Sequence, residues 1–434
     1  MAVTAPPATA EPVAAPPHTW QVLAHGVRSA FEGTPGRLRL IAIVTVLAGL
    51  VFGLFAFVAA SSRADALSGA RADAAQLVRV QSVRTNLVLA DANLTNAFLV
   101  GGLEPASARA AYEQGIATAS QALADASGDN SADAAVLAKV NDVVTRYTRL
   151  VESARANNRL GYPLGAAYLR QATSLLRTDA LPPLADLGAS EQRRVDHAYS
   201  SSASATVWLV VGLVLALVVL FVAQVWLNAR TRRTFNLPLV TATAIVLVVG
   251  IVLAGVMAWS QSKAKDTRTG AYFATLELAT ARIDAFDAKS AESLTLIARG
   301  QGQAYDASFD NLSANVTAIL DDAGRSGDNE YAARQAFIAY TTVHAKIRDL
   351  DDKGNWDEAV ALATNNAKDG ANATFATFAA ASGQALDQSS TQLRHDLSSA
   401  RSPLTAFGWI ALLAGIAAAV AAGQGVSIRL REYR

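Results

Sequence analysis

Long apolar runs are the first feature of the chain, and four of them contain no Asp, Glu, Lys or Arg. These runs cover residues 40–62, 198–229, 234–262 and 402–428. Each exceeds the roughly 20 residues that an α-helix needs to cross the hydrocarbon core of a bilayer. The pattern therefore predicts an integral membrane protein. We place its four transmembrane helices at residues 38–60, 206–227, 237–259 and 403–423.

The two stretches between these helices, residues 61–205 and 260–402, have the pattern of soluble helices. Apolar residues three and four positions apart form one packing stripe at Val80, Val83, Leu87, Ala90, Leu94 and Ala97. Turn-forming clusters divide each stretch into four helices, with breaks at residues 101–102, 127–130, 161–163, 300–302, 324–327 and 354–355. The dipeptide Pro182-Pro183 is expected to kink or break a helix. We therefore predict an all-α fold with two antiparallel four-helix bundles.

The order of span, bundle and span occurs twice, which predicts an internal duplication. The first and third spans are about 200 residues apart, as are the second and fourth. Tyr147 and Tyr340 are 193 residues apart, and so are Gly161 and Gly354. The chain could thus be a covalent pseudo-dimer of two sensor halves.

Four shorter segments complete the predicted organisation. Residues 1–17 are rich in Pro and Ala, which predicts a disordered tail. Residues 18–36 are predicted to contain an amphipathic helix, with one apolar face formed by Trp20, Leu23, Val27 and Phe31. Residues 228–236 form a short loop between the second and third spans, and residues 424–434 form the C-terminal tail.

Composition excludes several kinds of chemistry. The chain of 434 residues is 52% hydrophobic and only 17% charged, and it contains no cysteine. Disulfides, thiolate metal sites and a cysteine nucleophile are therefore excluded. Among the five histidines, no two have the spacing of a helical zinc pair, and no phosphate-binding loop motif occurs. We expect no cofactor, no metal, no nucleic-acid partner and no enzymatic activity.

Arginine positions predict the orientation in the membrane. Nine arginines lie beside the predicted spans on one side: Arg28, Arg37, Arg39, Arg230, Arg232, Arg233, Arg429, Arg431 and Arg434. Because cytoplasmic segments carry an excess of basic residues, we expect both termini and the short loop in the cytoplasm of a plasma-membrane protein. The two bundles would then be extracytoplasmic. The formal net charge of +1 hides an acidic second bundle, with 19 acidic and 14 basic residues.

Small residues four positions apart occur within the predicted spans. The pairs are Gly49 with Gly53, Gly250 with Ala254, and Gly415 with Ala419. Such pairs let helices approach closely in lipid. They predict close packing between helices, but they do not indicate which helix is the partner.

The layout resembles a known family. Four-helix bundles tied at both ends to spans are typical of chemoreceptor and histidine-kinase sensor domains, and residues 157–170 (NNRLGYPLGAAYLR) resemble a turn of such domains. Over residues 38–430 the chain resembles actinobacterial GlnX-type membrane proteins, which have four spans and tandem extracytoplasmic sensor bundles. The resemblance implies amino-acid sensing through an extracytoplasmic lipoprotein that binds glutamine, glutamate or aspartate. It also implies a relay to a cytoplasmic Ser/Thr protein kinase.

The residues themselves favour a receptor because they argue against a transporter and against a cytoplasmic effector domain. The four apolar runs contain no charged residue, so no proton or ion path is marked, and the cytoplasmic segments are too short for an effector domain. Two alternatives remain open. One is a chemoreceptor-like sensor that binds a small molecule directly within the bundles. The other is a structural envelope scaffold without a ligand.

Polar residues on the bundles are candidates for ligand or partner contacts. Arg84, Asp91, Asn93 and Asn96 lie beside the packing stripe; local pairing on a half-buried flank is the alternative. Arg155, Asn157, Asn158, Arg159 and Tyr162 are placed at a membrane-proximal turn, where the alternative is a simple helix cap. Asp351 and Asp352 belong to an acidic cluster around Trp356, which could bind a basic surface or be a solvated turn.

Cytoplasmic contacts are expected from two groups of residues. Arg230, Arg232 and Arg233 could bind anionic lipid headgroups or an acidic face of the kinase, besides setting the orientation. Trp20, Leu23, Val27 and Phe31 could dock a partner, although an interfacial membrane anchor is the alternative.

Overall fold

The computed structural model describes residues 33–100, 104–129, 133–160, 163–201, 204–231, 236–323 and 328–431. Within these ranges the chain is almost entirely helical and contains no strand. The helices are α1 (Gly33–Leu99), α2 (Ala106–Asp129), α3 (Ala134–Arg159), α4 (Leu164–Leu175), α5 (Leu181–Ser201), α6 (Ser204–Thr231), α7 (Leu237–Thr267), α8 (Phe273–Ile297), α9 (Gln303–Ala323), α10 (Asp328–Asp352), α11 (Trp356–Ala363) and α12 (Ala371–Arg431). The all-α prediction is confirmed for this part of the chain.

Four helical stretches are long and apolar enough to cross a membrane, as predicted. They lie within Gly36–Leu99, Thr206–Ala229, Leu237–Ile297 and Ala371–Ile428. The described chain separates into two compact units. The apolar unit comprises the described residues within 33–61, 205–256 and 405–431, and the polar unit comprises those within 62–204 and 257–404.

Close backbone contact between α1 and α12 is the main feature of the apolar unit. A Cβ atom added to Gly49 would lie 2.8 Å from the backbone nitrogen of Ala419, and one added to Gly53 would lie 3.0 Å from the Cα of Gly415. These small residues therefore let the two helices approach, which confirms the predicted close packing. Gly250 faces a different helix, where its missing side chain leaves room for Leu213 of α6.

Two hydrophobic cores form the interior of the polar unit. We call the helices that surround each core a cluster. The first cluster consists of the α1 stretch from Val80 to Leu94 together with α2, α3, α4 and α5. The second cluster consists of α8, α9, α10, α11 and the N-terminal half of α12, with Val88 and Leu99 of α1 joining its core. The predicted packing stripe on α1 is confirmed, because its six residues are at most 4% exposed.

The two clusters pack against each other through α1 and α8. Most residues of α8 between Leu278 and Leu296 are buried, including polar ones such as Lys289 and Glu292. A helix that contacted one cluster only would keep a polar, solvated face. Burial around most of α8 follows because it touches both cores.

Two details differ from the expectations. Pro182 and Pro183 do not break their helix: the wider π-helical turn Leu176–Ala180 precedes them, and α5 continues directly from it. Proline has no backbone N–H group and cannot donate the usual helical hydrogen bond. The wider turn changes the hydrogen-bond pattern just before the two prolines, so the helix continues past them. The second cluster contains one more break than predicted, since the short helix α11 ends at Ala363 and a loop precedes α12.

Candidate functional site

A cavity of about 380 Å³ lies between the two clusters in the polar unit. Its walls come from α1, from the π-helical turn Arg268–Tyr272 with α8, and from α12. Its size is within the usual range of small-molecule sites. The lining residues are Ala74, Leu77, Val78, Gln81, Ser82, Thr85, Asn86, Tyr272, Thr275, Leu276, Ala279, Arg282, Gly383, Leu386, Asp387, Ser390 and Leu393.

Arg282 is the charged residue on the α8 wall of this cavity. Its Nη1 donates hydrogen bonds to the carbonyl oxygen of Ala379 and to the hydroxyl of Ser382, both at 2.6 Å. No carboxylate among the described residues pairs with the guanidinium, and burial lowers the pKa of Arg282 to about 10. Gly383 makes room for this side chain, because a Cβ there would lie 3.2 Å from Nη1.

Hydroxyl groups add further polar character to the lining. The Tyr272 side chain is 4% exposed, and its hydroxyl has no hydrogen-bond partner within the described residues. Thr275 donates to the Ala271 carbonyl oxygen at 2.6 Å and lies 3.1 Å from the Ser389 hydroxyl. The cavity thus combines leucine side chains with polar groups from α1, α8 and α12.

Asp91, a predicted contact residue, is buried where the two clusters meet. Its carboxylate accepts hydrogen bonds from the hydroxyls of Thr173 at 2.8 Å, Ser290 at 3.0 Å and Tyr147 at 3.2 Å. Ser290 belongs to α8, so the group joins the two clusters. Burial raises the pKa of Asp91, although nearby Arg177 and the hydroxyl donors oppose this shift.

Further contacts between the clusters surround this carboxylate. Arg177, in the π-helical turn before α5, pairs with Asp287 of α8 at 2.5 Å. Asn96, another predicted residue, accepts a hydrogen bond from Asn372 of α12 at 2.9 Å. Arg84 is half-buried and donates to Gln81 at 3.2 Å, while Asn93 is half-buried. The structure therefore brings Asp91 and Asn96 to the cluster interface.

A second buried carboxylate, Glu292 of α8, lies within the second cluster. Lys289 lies 2.6 Å from one oxygen and His344 lies 2.8 Å from the other. The His344 ring stacks on Phe309 with centroids 3.4 Å apart. Burial alone would raise the pKa of Glu292, but Lys289 and His344 together lower it to about 2.

The predicted residues on the turn after α3 lie at the end of the polar unit where α1 finishes. Arg155 pairs with Glu104, just beyond Leu99, at 2.9 Å, and also with Glu152 at 2.7 Å. This placement corrects the expected membrane-proximal position, because Leu99 is the end of α1 opposite Ser62, where the chain enters the unit. The order of the antiparallel helices gives the same answer. From Ser62, α1 leads away, α2 returns and α3 leads away again, so the turn after α3 lies at the end of the polar unit far from Ser62.

The neighbouring turn residues that the structure describes make local contacts. The Asn157 side chain donates to the Ser153 carbonyl oxygen at 2.8 Å, and Asn158 backs onto Gly165, whose missing Cβ lets α3 and α4 approach. Arg159 is exposed. Tyr162 lies outside the described residues.

The predicted acidic cluster lies beside a surface cavity of about 670 Å³ in the second cluster. Arg348 pairs with Asp351 at 2.6 Å and with Asp352 at 2.9 Å. The Trp356 ring nitrogen donates to the Leu296 carbonyl oxygen at 2.8 Å, and Arg299 lies 4.1 Å from the ring centroid. These acids therefore have basic partners, and no metal-binding group of residues occurs in the described ranges.

The predicted cytoplasmic contact residues cannot be placed. Trp20, Leu23, Val27, Phe31, Arg232 and Arg233 lie outside the described residues. Arg230 belongs to α6, but its side chain lies outside the description as well.

Sequence reasoning missed Arg282, Tyr272 and the group around Glu292. The sequence around Arg282, residues 278–286 (LATARIDAF), gives no clear signal, because α8 carries several other charged residues such as Asp284 and Asp287. Nothing in the sequence indicates that it lacks a carboxylate partner, because that property depends on segments far away in the chain.

Residues 66–200 match a family model described as an actinobacterial sensor domain. The matched range contains the first cluster, from residue 66 of α1 to α5. This match supports an actinobacterial protein of sensor type with a sensing or signalling role. No curated protein and no solved structure is significantly similar to the chain.

Proposed function

We propose that this membrane protein is a receptor of GlnX type that senses a signal with its polar unit and relays it across the membrane to a separate protein. The match of residues 66–200 to a sensor domain is the observation that carries this proposal. The four apolar helices support it, since they give the sensor a route through a bilayer.

The proposed architecture places two four-helix bundles outside the cell, at residues 61–205 and 260–402, as the two halves of a duplication. Tyr147 and Tyr340, which correspond in the two halves, support the duplication because both are completely buried next to an acidic residue. The orientation rests on the nine arginines at the predicted cytoplasmic ends of the spans.

The proposed signal is amino-acid availability. By resemblance to GlnX-type proteins, an extracytoplasmic lipoprotein that binds glutamine, glutamate or aspartate would report to the bundles. A cytoplasmic Ser/Thr kinase would respond, with Arg230, Arg232 and Arg233 presenting a basic surface to it or to anionic lipids. No catalytic step is assigned to the chain itself.

Co-purification from native membranes tests this role. The full chain, cross-linked in intact cells and purified, is expected to bring down a solute-binding lipoprotein and a Ser/Thr kinase, identified by mass spectrometry. Replacing Arg230, Arg232 and Arg233 by Gln should reduce recovery of the kinase and leave the lipoprotein unchanged. Recovery of neither protein would contradict the relay and favour the envelope scaffold.

The proposed mechanism is a small movement of one bundle against the other, which slides or tilts a span. The interface between the clusters supports it, because it contains polar contacts such as Asp91 with Ser290 and Arg177 with Asp287, and contacts of this kind are repacked when domains move against each other. Cysteine pairs between the second and fourth spans, on the cysteine-free background, should cross-link differently with and without the lipoprotein and its amino acid. An unchanged pattern contradicts this mechanism.

The inter-cluster cavity favours a second candidate function, a sensor that binds its small molecule directly. A binding site within the polar unit would need an enclosed volume and a few polar groups, and the cavity around Arg282 provides both. Saturable binding of a small molecule to the purified chain, without any lipoprotein, would distinguish this candidate from the first.

A further inference from the structure

The unpaired guanidinium of Arg282 is the strongest unassigned feature of the polar unit. A partly buried arginine normally faces a carboxylate, since an uncompensated charge away from water is costly. Here Nη1 binds only the neutral oxygens of Ala379 and Ser382. Nε and Nη2 donate no hydrogen bond within the described part of the chain, and the guanidinium carbon lies 5.3 Å from the centroid of the Phe286 ring.

The free side of the guanidinium has the geometry that carboxylates use. Nε and Nη2 form one edge of the planar group, and two parallel hydrogen bonds from such an edge bind a carboxylate in bidentate fashion. Because Nη1 is held by Ala379 and Ser382, and because Gly383 provides space for it, the edge is fixed before any ligand arrives. A fixed edge lowers the ordering cost of binding.

The rest of the cavity defines the other end of the ligand. Leu77 and Leu276 offer apolar surface from two different helices, and Leu386 and Leu393 offer it from a third. The buried Tyr272 hydroxyl, unpartnered within the described residues, is an additional polar group in the lining. The lining also contains polar side chains, among them the exposed carboxylate of Asp387. The leucine surface fits an apolar body, and the Arg282 edge fits a carboxylate at the other end of the ligand.

We propose that the cavity between the two clusters binds a small carboxylate with an apolar body, and that Arg282 binds its carboxylate. The proposal rests on the proposed sensor function and gives the direct-binding candidate a ligand class. Such a ligand would contact α1, α8 and α12 at once. Its binding would therefore favour one arrangement of the two clusters over others.

Calorimetry on the full chain in lipid nanodiscs tests the site, with hexanoate as the probe and hexanamide as its uncharged analogue. Empty nanodiscs correct for partition into lipid. Saturable binding of hexanoate in the millimolar range or tighter is expected, with hexanamide about tenfold or more weaker, since charge-assisted hydrogen bonds are stronger than neutral ones. Equal binding of the two probes, or no saturable binding of hexanoate, would overturn the proposal.

Three variants separate the site from general damage. Arg282→Gln should weaken hexanoate binding by about tenfold to a hundredfold. Ser82→Phe, at a half-buried position of the α1 wall, should abolish binding by filling the cavity while the Arg282 residue itself is retained. Arg394→Gln, at an exposed position on α12 outside the cavity, is the matched control and should bind like the wild type.

Two further results would overturn the proposal. Wild-type affinity in a folded Arg282→Gln or Ser82→Phe variant would overturn the assignment of the site. If inorganic phosphate bound and hexanoate did not, the proposed ligand class, a carboxylate with an apolar body, would be wrong. Neither result would bear on co-purification of the lipoprotein and the kinase, so failure of this inference is distinguishable from failure of the proposed function.

Discussion

Two buried carboxylates in the polar unit have opposite pKa shifts, and their neighbours explain the difference. Asp91 is surrounded mainly by hydroxyl groups, so burial dominates and its pKa rises. Glu292 touches Lys289 and His344, whose attraction exceeds the effect of burial. The first carboxylate therefore disfavours the folded state when it is charged, and the second stabilises it.

The Asp91 shift predicts how stability depends on pH. Between its ordinary pKa of 3.8 and its raised folded value, the folded chain holds a proton that the unfolded chain has lost. The contribution of Asp91 to stability therefore falls as pH rises through this interval. Asp91→Asn keeps an oxygen for Tyr147 and Thr173 and an amide that donates to Ser290. We expect an unfolding midpoint at pH 7 equal to or above the wild type, with a flatter pH profile, in thermal melts.

Asp91→Ala is the matched comparison for this measurement. It leaves three hydroxyls without their buried acceptor and should lower the free energy of unfolding by about 1–3 kcal/mol. If Asp91→Asn were as destabilising as Asp91→Ala at pH 7, the negative charge itself would be required, and the account of Asp91 would be wrong.

Glu292 predicts the opposite dependence. Its folded pKa of about 2 is below the ordinary 4.5, so its stabilisation is present above pH 4.5 and is lost as pH falls toward 2. Glu292→Gln leaves Lys289 buried without a carboxylate, which should cost about 3–5 kcal/mol at pH 7. The wild type and the variant should converge at acid pH in denaturant unfolding curves.

An exposed acid provides the control for Glu292. Asp349 pairs with Lys353 at 2.6 Å, but both side chains are more than half exposed. Asp349→Asn should therefore leave the unfolding curves nearly unchanged at every pH. A constant difference between wild type and Glu292→Gln from pH 7 to pH 2 would show that packing, rather than charge, causes the loss.

At the scale of the elements, backbone contact between α1 and α12 holds these two helices of the apolar unit together. Gly415→Val would force their separation, because even a Cβ at Gly415 would lie 2.8 Å from the Gly53 nitrogen. We expect a loss of about 1–3 kcal/mol, measured as a lower midpoint of thermal unfolding in detergent. Gly255→Val is the control, since no atom lies within 4 Å of a Cβ there. Equal midpoints for the two variants would contradict the contact.

Local signals predicted most helix ends, and tertiary contacts decided the rest. Glycine clusters marked the breaks around residues 101, 128 and 300 because they favour turns, and the stripe on α1 followed from spacing alone. The extra break before α12 was missed, although residues 364–370 (TNNAKDG) carry turn chemistry. For Pro182, the sequence predicts the conflict with a regular helix but not the π-helical turn that relieves it.

The candidate site was only partly predictable for a related reason. Asp91 was singled out as a polar residue beside the stripe, which is where the helix faces a neighbour. That the neighbour is α8, about 200 residues away, cannot be read from a local pattern, and so its complete burial was not expected. Arg282 is even less visible, because a cavity arises only where α1, α8 and α12 meet.

At the scale of the whole molecule, the sensor account requires a membrane protein that samples one compartment and reports to another. The distribution of charge predicts which side of the membrane each part of the chain occupies. The predicted cytoplasmic segments, together with Arg39 at the start of the first span, carry nine basic and three acidic residues, whereas residues 260–402 carry five more acidic than basic residues. Salt-screened surface charge matters little to folding, but it sets the orientation during insertion.

Labelling of single cysteines in intact cells tests this central claim most directly, because the chain contains no native cysteine. A membrane-impermeant maleimide should label the exposed positions Ala110→Cys on α2 and Ala314→Cys on α9 before lysis. Thr231→Cys, at the end of α6, should be labelled only after the membrane is permeabilised. The reverse pattern, or labelling of all three positions in intact cells, would contradict a receptor whose polar unit faces the outside.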